Sequence, residues 1–163
     1  MRTRVIKMAN EIIEKSFPEL RKKCILFVIL PFRFYALSLW IPPFGLIIIS
    51  LRTKKIASSA LTGLIAHELC HQERYRKMGL MGYLRFTFGY IFSKKNRIDE
   101  EHNTDRLTIL KGYAHELYEL SLVSQIDPLH KKIIDNYMSP EEIYNFAIEA
   151  GVWTEPNHID KKK

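Results

Sequence analysis

The chain has 163 residues, 47% of them hydrophobic and 26% charged, enough for one folded domain with a core and too apolar for a disordered chain. Two cysteines, Cys24 and Cys70, exclude a disulfide scaffold and fit a reducing compartment, so a cytoplasmic location is expected. The net charge of +7 is dispersed in short clusters without a nucleic-acid-binding motif, so no nucleic acid is expected as a partner.

Val5, Ile6, Met8, Ala9, Ile12 and Ile13 give residues 3–16 the apolar side of an amphipathic helix. Residues 24–50 then run rich in Ile, Val, Phe, Tyr and Trp. A membrane span there needs about 20 unbroken apolar residues, and Pro31, Arg33, Pro42 and Pro43 interrupt it. The composition predicts strands near 25–30, 32–41 and 46–51, with a turn at Pro42-Pro43-Phe44-Gly45. A helix over 59–77 follows, capped by Ser58 or Ser59, with Leu61, Leu64, Ile65 and Leu69 as its buried stripe. Residues 78–92 are apolar and aromatic between Arg76-Lys77 and Lys94-Lys95. Packing back on the core is their default, with membrane-surface contact or a homo-oligomer as the alternatives. A second helical stretch spans 97–118, and Ser139-Pro140-Glu141-Glu142 has the cap, proline and acidic first turn of a helix running to Gly151. The domain is read as residues 1–152, with 153–163 as a basic C-terminal tail.

The chemistry concentrates in His67-Glu68-Leu69-Cys70-His71. Residues four apart share a helix face, so both imidazoles can reach one metal ion. The spacing suits a tetrahedral zinc with an open position for water, and Glu68 is placed to take a proton from that water. Cys70 lies about 100° around the helix from His71 and is read as packing. A third ligand is expected in the second helical stretch, where Glu101 and Asp105 share a face. Glu101 would complete a His-His-Glu set, and Asp105 would accept a hydrogen bond from the free ring nitrogen of a liganding histidine. Glu100 and His102 are the competing choices. His102 is read as a solvated helix residue, and the preference for Glu101, which alone has a carboxylate four residues on, rests on the family resemblance that follows.

Together the two motifs, His67-Glu68-Leu69-Cys70-His71 and Glu101-His102-Asn103-Thr104-Asp105, resemble those of the gluzincin metallopeptidases, which pair His-Glu-x-x-His with Glu-x-x-x-Asp on a glutamate helix. The short separation and small chain look most like the minigluzincins and the catalytic cores related to the CAAX-processing zinc peptidases. The resemblance covers about residues 45–120, strongly at the motifs and loosely elsewhere. It implies one Zn²⁺ per chain held by His67, His71 and Glu101, with Glu68 as general base and Asp105 as partner of His67. The implied activity is that of a zinc-dependent endopeptidase acting on a peptide or protein substrate.

The expected fold is α+β: a small N-terminal β-sheet packed on the active-site helix, a glutamate helix, and a further C-terminal helix. The resemblance places an edge strand above the zinc, to which an extended peptide adds as an extra strand; residues 47–50 are the candidate edge. For stabilising the oxyanion, Tyr113, His115 and His130 are the candidates, none of them assigned. The alternatives are a non-catalytic zinc-binding interaction module, a membrane-associated peptidase, or a latent one whose tail brings His158 or a nearby carboxylate to the metal.

Overall fold

In the computed structural model, which describes residues 1–129 and 134–153, the apolar side expected at the N-terminus is the buried side of α1 (Arg2–Ser16). Val5, Ala9, Ile12 and Ile13 carry it. Three strands follow: β1 (Ile25–Leu30), β2 (Ala36–Ile41) and β3 (Phe44–Ser50). The second begins at Ala36 rather than at residue 32, and the turn between β2 and β3 falls at Pro42-Pro43.

The sheet order is β1-β3-β2, with β3 parallel to β1 and antiparallel to β2. Residues 47–50 are therefore central and not an edge, which corrects the expectation above. Ile47 and Ile49 are fully buried, paired with Phe27 and Ile29 on one side and with Ser38 and Ala36 on the other. The edge that borders the site is β2.

Helix α2 (Ser58–Phe92) carries the first motif, and its first part ends at residue 78, close to the expected end at 77. Its N-cap is Ala57, without a side-chain cap, so neither serine serves as one. Ser59 Oγ instead donates to Glu119 on a neighbouring helix, at 3.0 Å. Gly79 interrupts α2 with φ 68° and ψ 174°, a backbone that only glycine adopts without strain, and divides it into residues 58–78 and 80–92. The stretch expected as one helix over 97–118 is two. Helix α3 (Lys94–Thr108) passes through a π-type turn (Ile109–Tyr113), with Gly112 at φ 89°, into α4 (Ala114–Ile126). Helix α5 (Pro140–Glu149) starts with the expected cap: Ser139 and Glu142 satisfy each other's backbone N–H groups.

The architecture is α+β: α2 packs against α1, β2, α3 and α4. Phe27, Ile47 and Ile49 of the sheet join Leu61, Leu64, Ile65 and Leu69 of α2 in one core. Trp153, expected to open the tail, packs against Tyr118 and Tyr144 and so belongs to the domain. His130, His158 and the tail beyond Trp153 lie outside the described residues. Among the described residues, no helix is long and apolar enough to cross a membrane.

Candidate metal centre

Residues 58–78 of α2 hold His67 and His71 one turn apart, and α3 lies across them, so that Glu101 faces both rings. Glu101 Oε2 is 3.2 Å from His67 Nε2 and 3.4 Å from His71 Nε2. Two ligands of a tetrahedral zinc with bonds of about 2.05 Å stand about 3.3 Å apart, so these separations match the edge of such a tetrahedron. All three side chains are buried, with His67 4% and Glu101 3% exposed. The three donors could hold a metal ion, and a His-His-Glu set of this spacing fits zinc.

Each ring is held from behind. His67 Nδ1 donates to Asp105 Oδ1 at 2.8 Å, while Asp105 Oδ2 accepts from the backbone N–H of Met138 at 2.9 Å. With Nδ1–H committed to Asp105, Nε2 is the ring nitrogen turned toward Glu101, and once deprotonated it is the one free to bind a metal. His71 Nδ1 lies 3.5 Å from Glu100 Oε1 and 3.4 Å from Thr104 Oγ1. Glu100 is in turn gripped by Arg74 through both carboxylate oxygens, at 3.1 and 2.5 Å. Glu101 Oε1 accepts a short hydrogen bond from Tyr90 Oη.

Electrostatics follow from this packing. Burial opposes a charge on either ring, but the hydrogen bonds of His67 to Asp105 and Glu101 outweigh it and raise its pKa well above 6.5. For His71 the negative charge of Glu101 and the bonds to Glu100 and Glu101 likewise overcome burial, raising it to about 9. Burial pushes the Glu101 carboxyl up, yet the charge on His71 and the bonds from both histidines bring it far below the usual carboxylate range. A cation bound to the two Nε2 atoms releases the ring protons, so metal affinity rises with pH.

Glu68 stands apart from this network. Burial raises its pKa above 4.5, the nearby His71 and His67 oppose that rise, and its Oε2 is buried with no hydrogen-bond partner among the described residues. It lines a cleft of ≈ 580 Å³ that also exposes His67, His71, Glu101 and Tyr137 and is bounded by β2 and residues 80–92. A smaller apolar pocket of ≈ 50 Å³ opens beside Glu68, between Leu64, Leu117, Leu120 and Ile143.

The structure thus brings together His67, Glu68, His71, Glu101 and Asp105. Glu100 and His102 take other places: Glu100 binds Arg74, and half-buried His102 does not line the cleft. Cys70 is buried against Thr108, 3.4 Å from its Oγ1, and burial pushes its thiol up to about 12, so it packs. Tyr113 and His115 lie away from the cleft, Tyr113 on Ser16 Oγ at 3.1 Å and His115 beside Glu119 and Trp153. Tyr137 and Tyr90 reach the cleft instead. Sequence spacing offered no signal for them, because one precedes the second motif and the other arrives from the segment before α5.

Compared with known proteins, the chain matches no family model, no curated protein and no solved structure at a significant level.

Proposed function

We propose that this chain is a zinc-dependent endopeptidase of gluzincin type. The observation that carries the reading is the convergence of two imidazole Nε2 atoms on one Glu101 oxygen, beside a buried carboxylate oxygen of Glu68 with no hydrogen-bond partner among the described residues. Zinc held by His67, His71 and Glu101 would supply a Lewis acid that polarises the scissile carbonyl and acidifies a water. Glu68 takes a proton from the attacking water and passes it to the leaving amine, a task suited to a carboxyl whose pKa burial has raised. Asp105 keeps His67 oriented through that cycle, and Glu100 with Thr104 does the same for His71. Tyr137 lines the cleft with its ring centroid 5.8 Å from that of His67, and burial keeps its phenol protonated. We assign it as the candidate donor to the oxyanion, an interaction typically worth about 3 kcal/mol.

Substrate geometry follows from β2. Ser50 N–H donates to the carbonyl of Tyr35 at 2.8 Å, so the alternation of an antiparallel ladder turns the backbone groups of Ala36, Ser38 and Trp40 away from β3. The Trp40 N–H is taken by Tyr83 Oη at 3.2 Å, whereas Ala36 and Ser38 line the cleft. An extended peptide pairs there and places an apolar side chain in the pocket beside Glu68.

Elemental analysis and casein digestion test this reading together. One zinc per chain is expected, with cleavage that drops by about 10²- to 10⁴-fold in Glu68→Gln while the zinc is retained. A folded, zinc-loaded wild type that cuts neither casein nor unfolded peptides would overturn it in favour of a zinc-binding interaction module.

A further inference from the structure

A three-stranded sheet with one face on the core ordinarily turns polar side chains to water on the other. Here the alternation along the strands sends Phe27, Ile47 and Ile49 inward and leaves two outward rows, Leu26-Leu46-Leu39 and Val28-Ile48-Leu37. All six outward positions are apolar. Ile41 and Phe44 extend the same character to the hairpin turn, both exposed.

Residues 80–92 repeat the pattern on a helix. Tyr83, Phe86 and Tyr90 turn in to the cleft, while Leu80, Met81, Leu84, Phe88, Ile91 and Phe92 face out, Met81 and Phe92 at 78% exposure and Phe88 at 64%. The two apolar surfaces meet at the cleft, whose lining includes Leu37, Leu39 and Ile91.

Charge says what covers them. Residues 20–67 contain no Asp or Glu and seven Lys or Arg, and residues 74–98 again contain no Asp or Glu and seven Lys or Arg. The segments that expose these apolar surfaces thus hold fourteen of the chain's 25 basic residues and none of its 18 acidic ones. Arg21, Lys22 and Lys23 stand exposed just before β1, Arg33 between β1 and β2, and Lys94 and Lys95 directly after residue 92. A second copy docked face to face would set cations against cations. A bilayer rich in anionic lipid instead accepts the apolar side chains and neutralises the rim, and with no membrane-crossing helix among the described residues the contact is interfacial.

We propose that the outer face of the sheet and the outward side of residues 80–92 form a docking surface for an anionic membrane, which places the mouth of the cleft at the lipid interface. The test is flotation of the full chain with vesicles of phosphatidylcholine alone or mixed with phosphatidylglycerol. The wild type is expected to float with the mixed vesicles only and to be released by high salt. The triple substitution Leu26→Gln, Phe88→Gln, Phe92→Gln is expected to lower partitioning at least about tenfold, and Lys23→Glu with Lys95→Glu about tenfold. In both variants the unfolding midpoint and the zinc content should match the wild type, which shows that the surface and not the fold was changed. Three results would overturn the proposal: a folded wild type that floats with neither vesicle, equal flotation with both, or a concentration-dependent dimer in sedimentation velocity that the triple substitution abolishes. The last assigns the face to a second copy.

Discussion

The two halves of α2, divided at Gly79, depart from ordinary burial in opposite directions. Residues 58–78 bury His67, Glu68, His71, Gln72 and Glu73, groups that normally stay in water; residues 80–92 leave leucine, methionine and phenylalanine in solvent. In the first half the buried groups other than Glu68 have partners. Asp105 and Glu100 hold the histidines, Ser38 Oγ accepts from Gln72 Nε2 at 2.8 Å, and Lys111 and Lys77 meet Glu73 at 2.8 and 2.7 Å. In the second half no protein element among the described residues covers the outward side. A buried polar site points to chemistry within the chain, and an uncovered apolar face points to something outside it.

The largest effect expected separates the halves outright. Glu101→Ala removes the carboxylate on which both Nε2 atoms converge, so stoichiometric zinc and casein cleavage should both disappear, while flotation with anionic vesicles persists. Elemental analysis and flotation on one preparation check this, and joint loss of both would break the separation.

Stability should divide the same way. Leu69 is fully buried, and Leu69→Ala is expected to cost about 2–5 kcal/mol. Exposed Phe88 changed to serine should stay within about 0.5 kcal/mol of the wild type. Urea unfolding of the two variants measures the contrast, and equal losses would mean that residues 80–92 pack as core.

A smaller effect tests the support of the site. Asp105→Asn keeps an oxygen for the Met138 N–H but no longer offers a carboxylate to His67 Nδ1, so zinc affinity or turnover should fall about 10- to 100-fold. Chelator competition with the two proteins reads it, and unchanged affinity and turnover would show that His67 needs no partner.

The smallest effect is in pH. Burial alone pushes the Glu73 carboxyl up, but the hydrogen bonds from Lys111 and Lys77 outweigh it and hold its pKa below 4.5. The folded pKa is depressed, so the ionised carboxylate adds stability above pH 4.5 that is lost as pH falls through the lower folded value. The wild type should exceed Glu73→Gln in unfolding free energy at neutral pH, and the gap should narrow in acid. A gap independent of pH would contradict the assignment.

The site was legible in the sequence wherever local spacing decides it. His67 and His71 sit one turn apart on any helix, and the same period puts Glu101 and Asp105 on one face of α3, while Ser139-Pro140 marked the start of α5. What spacing could not supply is contact between distant segments. β3 was mistaken for an edge because strands that are apolar on both faces look alike at the centre and at the rim, and here the outer face is apolar throughout. Gly79 and Gly112 read as single glycines inside helical stretches, yet each takes a positive φ and breaks the helical backbone, one dividing α2 and the other turning α3 into α4. Tyr137 and Tyr90 were missed because only the fold brings them to the cleft.

X-ray absorption at the zinc edge of the loaded chain tests most directly the claim that these residues make one metal centre. Four nitrogen or oxygen neighbours at about 2.0–2.1 Å, two of them imidazoles, are predicted, with one imidazole lost in His71→Ala. Sulfur at about 2.3 Å, or a spectrum unchanged by His71→Ala, would contradict it.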